Sequence, residues 1–173
     1  LNYSEPDLAG LVFHELAHER VYIKDDTTFN ESFATFVERE GTRRWLASSG
    51  QQADIPRLEK FQAQRDAVID LIRSARSELQ VLYMEGLSVE EMRWRKVAVF
   101  DQLQADYSEM RRAGDANDWR NWFDSHLNNA KLASIGAYHD RVEFFEQLFE
   151  RANRNFEVFY RLVEELEDSP RED

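Results

Sequence analysis

Residues 11–41 read LVFHELAHERVYIKDDTTFNESFATFVEREG, and two short groups inside that run, His14-Glu15-Leu16-Ala17-His18 and Asn30-Glu31-Ser32-Phe33-Ala34, decide what the chain can be. On a helix advancing roughly 100° per residue, His14 and His18 share one face about 6 Å apart along the axis. That spacing lets two imidazoles hold one tetrahedral Zn²⁺. Glu15 stands on the rim of the same face, where it can take a proton from water at the metal without being a ligand. A third protein ligand is then needed, and Glu31 can supply it from a second helix. The apolar residues Leu11, Val12 and Phe13 before the motif, with Leu16 and Ala17 inside it, predict a buried helix whose histidines face inward.

Immediately around this run, the chain reads as a helix pair. Ser4-Glu5-Pro6-Asp7 is a helix start, with Ser4 as cap, Pro6 in the first turn and two acids at the positive end of the dipole. The first helix is expected to reach about Tyr22, with Leu8, Leu11, Val12 and Leu16 as its core stripe. Lys24 to Thr27 reads as the connecting loop, and a second helix from about Phe29 carries Phe33, Phe36 and Val37 inward. Gly41 ends that helix, or Thr42 to Leu46 prolong it toward Gly50. Glu31 has a second reading, because Thr28-x-x-Glu31 also fits a capping box in which the glutamate bonds a backbone amide.

Further out, helical periodicity continues. Leu58, Phe61, Val68, Ile72, Ala75, Leu79 and Leu82 recur three and four apart, with Arg65 in the one polar register position, until Gly86. Ser88 restarts a helix bearing Met92, Val99, Leu103, Tyr107 and Met110 as far as Gly114. The two stripes predict an antiparallel helical hairpin over 56–113. Residues 118–167 then carry Trp119, Trp122, Phe123 and Leu127, next Leu132, Ile135 and Tyr138, next Phe144, Phe145, Leu148 and Phe149, and last Phe156, Phe159, Tyr160, Val163 and Leu166. No strand and no internal repeat is expected.

Composition sets the limits. The 173 residues are enough for one domain with a sizeable core. A net charge of -12, from 34 acidic against 22 basic residues, argues against nucleic acid, whose affinity rests on clustered Lys and Arg. Without cysteine, metal ligation falls to His, Asp and Glu. No apolar run is long enough for a membrane span. Only thirteen residues precede His14, which leaves no room for the β-sheet that peptidases of the H-E-x-x-H type place upstream, so the expectation is part of a longer protein.

With His14, Glu15, His18 and Asn30-Glu31-x-x-Ala34 in place, the pattern resembles the gluzincin metallopeptidases, in which a glutamate on a following helix is the third zinc ligand. The run 11–41 is similar to a bacterial family of zinc aminopeptidases, and LNNAKLASIGAYHD, residues 127–140, is similar to that family's C-terminal signature. The resemblance implies His14, His18 and Glu31 as zinc ligands, Glu15 as general base and later acid, a peptide substrate, and the bacterial periplasm or cell envelope. One departure concerns ligand support: thermolysin-like members carry an aspartate four residues after the ligand glutamate, and this chain has Thr35, leaving Asp25 or Asp26 to orient a histidine. Glu38 reads as part of a solvated face. The spacing from His18 to Glu31 is also short, which requires a tight hairpin.

The expected fold is therefore mainly α: a zincin-like catalytic helix pair over 1–50, a long antiparallel hairpin and a C-terminal helical bundle, in one domain over 1–173 with no upstream β-sheet. An oxyanion donor is still needed, and Tyr138 is the first choice, with His139 and His126 behind it. Tyr138 also fits a core position after Ile135. Asn128 and Asn129 can hold a substrate backbone through their amides, or can cap or kink their helix. A second reading, from a different class, is a helical binding or assembly module with a vestigial metal site. Oligomeric state is not legible in the sequence.

Overall fold

The computed structural model describes residues 4–139 and 141–167, the side chains of residues 136–139 and 167 excepted. Every regular element among the described residues is helical, as the periodicity predicts. The helices are α1 (Glu5–Arg20), α2 (Thr27–Ser48), α3 (Ile55–Met84), α4 (Val89–Ala113), α5 (Arg120–Asp124), α6 (Asn129–His139), α7 (Val142–Arg151) and α8 (Phe156–Glu167), with a 3-10 turn at Gln52–Asp54. They form two compact units, one within Leu1–Ile55 and Ala137–Asp173, the other within Pro56–Gly136. The C-terminal helices are thus divided, with α7 and α8 joining α1 and α2 and α5 joining α3 and α4.

In the first unit α2 is central, packing on α1 and on α7, and α7 packs on α8. Six consecutive residues of α2, Ser32 to Val37, are buried, because the helix is covered on more than one face. The core is aromatic. Phe29, Phe33 and Phe36 of α2 meet Phe145 and Phe149 of α7 and Phe159 of α8, with ring centroids 4.9–6.0 Å apart. Phe33, Phe145 and Phe159 are fully buried, and each such side chain contributes about 1.5–3 kcal/mol of transfer free energy.

The contact between α1 and α2 does not use the stripe expected from hydropathy. Leu8, Leu11, Val12 and Leu16 are exposed, at 53, 45, 47 and 57% of their surface. The buried residues of α1 are Gly10 and Ala17 instead. Small residues win the interface because they let the backbones approach, and Phe13 then lays its ring over Gly41, where an added Cβ would stand 2.9 Å from Phe13 Cγ. Gly41 accordingly lies inside α2, which runs on to Ser48, rather than ending it. On the uncovered side, Leu8 and Val12 line a shallow hollow of about 420 Å³ with Glu5, Ala9, Phe13 and Trp45.

Helix ends follow local chemistry. Ser4 caps α1 in a reciprocal box with Asp7. Helix α1 stops at Arg20, two residues earlier than expected, and Val21 turns extended and buried. The cap of α2 is Asp26, whose Oδ1 accepts the Phe29 N–H at 2.9 Å. Thr28 lies within the helix, so the capping box with Glu31 does not form and the Glu31 carboxylate is free to point elsewhere.

In the second unit α3 and α4 run antiparallel. Gln64, early in α3, donates to the Gly114 carbonyl just past α4 at 2.6 Å, while Arg95, early in α4, pairs with Glu85 at 2.9 Å. Gly86, at φ +65°, makes the reversal that other residues rarely adopt. Val68, Ile72, Ala75, Leu79 and Leu82 join Val99, Leu103 and Tyr107 in one core, closed by Phe123, Leu127 and Leu132. Phe61, expected inside, is exposed, as are Met84, Val89 and Trp94 near the hairpin tip.

Candidate metal centre

The two motifs converge in the first unit. α1 and α2 run antiparallel there, so a ladder of contacts steps along both: His18 faces Glu31, His14 faces Glu31 and Glu38, and Gly10 faces Glu38 and Thr42. The connection is tight because Asn30 clamps it. Its Oδ1 accepts the Ile23 N–H at 2.8 Å and its Nδ2 donates to the Ile23 carbonyl at 2.7 Å, so one buried amide satisfies both backbone groups of the turn. Asp25 takes the left-handed conformation, φ 64°, that closes it. The short spacing read from the sequence is therefore met, and Asn30, the residue before Glu31, is what meets it.

His14 Nε2 lies 3.5 Å from Glu31 Oε2, and His18 Nε2 lies 3.7 Å from Glu31 Oε1. The two imidazoles meet edge to face with centroids 5.0 Å apart. One donor atom from each of His14, His18 and Glu31 can be chosen so that all three lie within 4.8 Å of one another, so this group can bind a metal ion. Two imidazole nitrogens and a carboxylate oxygen are the donor types that zinc accepts at a catalytic site, where three protein ligands leave a fourth position open. The three side chains are 19, 23 and 20% exposed, sheltered yet reachable from solvent. Glu15, the next residue round the helix, is exposed.

Glu38 belongs to this cluster rather than to a solvated face. Its Oε2 lies 3.2 Å from His14 Nδ1, the ring nitrogen turned away from Glu31. The hydrogen bond to Glu38 raises the His14 imidazole above its ordinary value, burial opposes the rise, and the nearby charges of Glu38, Glu31 and Glu15 add to it. Asp25 and Asp26 do not orient a histidine. Asp26 is occupied by the cap of α2 and by Arg141 at 3.1 Å, and Asp25 is an exposed turn residue. On the other ring, His18 Nδ1 is buried and has no hydrogen-bond partner among the described residues.

Tyr138 and His139 lie on α6 with side chains outside the described residues. In the second unit, His126 is exposed, Asn128 Oδ1 accepts the Lys131 N–H at 3.0 Å as a helix cap would, and Asn129 exchanges hydrogen bonds with the Tyr83 hydroxyl at 2.8–3.0 Å. Asn128 and Asn129 thus have local partners. No helix of the described residues is long and apolar enough to cross a membrane.

A family model described as "Putative aminopeptidase" matches residues 1–173. No curated protein and no solved structure matches the chain.

Proposed function

The chain belongs to this aminopeptidase family, and from that premise we propose that it hydrolyses peptide bonds with a zinc ion held by His14, His18 and Glu31. The observation that carries the reading is the convergence of those three donors beside the exposed Glu15. Zinc, when bound, supplies Lewis acidity, which eases deprotonation of water and polarises the scissile carbonyl. Glu15 takes the proton of the attacking water and returns it to the leaving amine, so one carboxylate serves as base and then acid. Glu31 closes the ligand set and, as an anion, offsets part of the metal charge. Tyr138 is our candidate for donating to the oxyanion. The preference for a free amino terminus rests on the family name alone.

The purified protein, supplied with zinc, is expected to hold about one zinc per chain, lost in His18→Ala. Glu15→Gln should keep the zinc and lower turnover of peptide substrates about 10²–10⁴-fold. A chain that takes up no zinc would overturn the metal reading, and unchanged turnover in Glu15→Gln would remove Glu15 from its role. The exposed Met84, Val89 and Trp94 at the hairpin tip favour a second reading, a binding module. It predicts no zinc and no turnover.

A further inference from the structure

We infer that Glu38 is a positioning residue that fixes the His14 ring for metal binding; the inference rests on the zinc reading above. Neutral imidazole carries one ring proton, and the nitrogen that keeps it cannot also offer a lone pair to a metal. The Glu38 carboxylate, 3.2 Å from His14 Nδ1, accepts that proton's hydrogen bond and so leaves the Nε2 lone pair facing Glu31, 3.5 Å away. Ligating histidines commonly donate their second nitrogen to a carboxylate in this manner, which sets both tautomer and ring angle.

The reach is built into the helix pair. Glu38 follows Glu31 by seven residues, two turns of α2 and nearly the same face. On α1 the facing residue is Gly10. A Cβ there would stand 3.4 Å from Glu38 Cγ and 3.2 Å from Thr42 Oγ1, whose hydroxyl donates to the Glu38 carbonyl at 2.7 Å. Gly10 therefore keeps open the space in which the Glu38 side chain turns toward His14. The support is one-sided, since His18 Nδ1 is buried without a partner among the described residues. Of the two histidines, His14 is held in advance and His18 is left to the metal.

The test uses the full chain with ¹⁵N-labelled histidine. In metal-free wild type, above the titration of His14, two-bond ¹H–¹⁵N correlations should show the Nδ1–H tautomer for His14, identified by its loss in His14→Gln. Glu38→Leu, which removes the acceptor, should shift His14 toward Nε2–H and weaken zinc binding about 10–100-fold by competition titration. Glu38→Gln keeps an acceptor oxygen and should keep the Nδ1–H pattern and most of the affinity. An Nε2–H tautomer for His14 in wild type would overturn the inference without any variant. So would an unchanged tautomer and zinc Kd in Glu38→Leu. Because the tautomer is read without metal, failure of wild type to bind zinc sinks the metal reading separately and leaves the Glu38–His14 contact still tested.

Discussion

Glu40 shows how a single buried acid of α2 can be kept charged. Its side chain, 8% exposed, accepts from Arg43 through both oxygens at 2.8 Å and from Arg44 at 2.7 Å, with Arg154 at 4.0 Å. Burial pushes its carboxyl up, and the hydrogen bonds and charges of Arg43 and Arg44 pull it further down, so the balance lies below the ordinary 4.5. A carboxyl depressed by folding contributes stability above its unfolded value and loses it as pH falls through the folded one. Glu40→Gln is thus expected to cost roughly 1.5–3 kcal/mol at neutral pH, a difference from wild type that shrinks in urea unfolding series carried below about pH 4.5. At this scale the sequence was uneven as a guide. The four-residue spacing singled out His14 and His18 and the N-E-x-x-A element singled out Glu31, and those three side chains do come together. Glu38 has no such motif: it sits in the charged run Glu38-Arg39-Glu40, and only the rotation of α2 against α1 tells which of those residues faces a histidine.

At the scale of elements, the α1–α2 pair is set by two glycines that sequence reading treats as helix ends or weak points. Gly41 is the sharper case. Replacing it with Ala gains about 1 kcal/mol of helix propensity but drives a Cβ to 2.9–3.2 Å from three atoms of the Phe13 ring. Overpacking of this kind costs about 1–3 kcal/mol, so Gly41→Ala should lower the unfolding midpoint, and Phe13→Leu in the same chain should recover part of the loss in a double-mutant cycle. The same pair explains why α1 buries a face that hydropathy does not favour. A period near 3.6 says that a helix has two faces, and hydropathy then favours Leu8, Leu11, Val12 and Leu16 as the inner one. Close approach reverses that choice, since Gly10 and Ala17 admit a neighbouring backbone where leucines would hold it off. In α3 and α4 the stripes are long and no small-residue face competes, so most of their buried positions were legible.

Across the whole molecule, each of the two units carries its own core, the first largely aromatic and the second mostly aliphatic with an aromatic end. Mainly helical architecture was evident from composition and period. The grouping of α7 and α8 with the first pair was not, because it depends on which aromatic faces find each other over more than 100 residues of chain. The stripe that α1 leaves uncovered has a colloidal consequence. Four large apolar side chains on one helix would ordinarily draw copies together, while a net charge of -12 pushes them apart. Repulsion of that kind reaches about 10 Å in 0.1 M salt and only about 3 Å in 1 M. Light scattering should therefore record growing self-association as sodium chloride is raised toward 1 M, and Leu8→Ser with Leu16→Ser should abolish the rise and shorten retention on a phenyl column. Scattering that stays flat with salt would mean the stripe does not attract its like, and buffers for handling the protein should be chosen on the outcome.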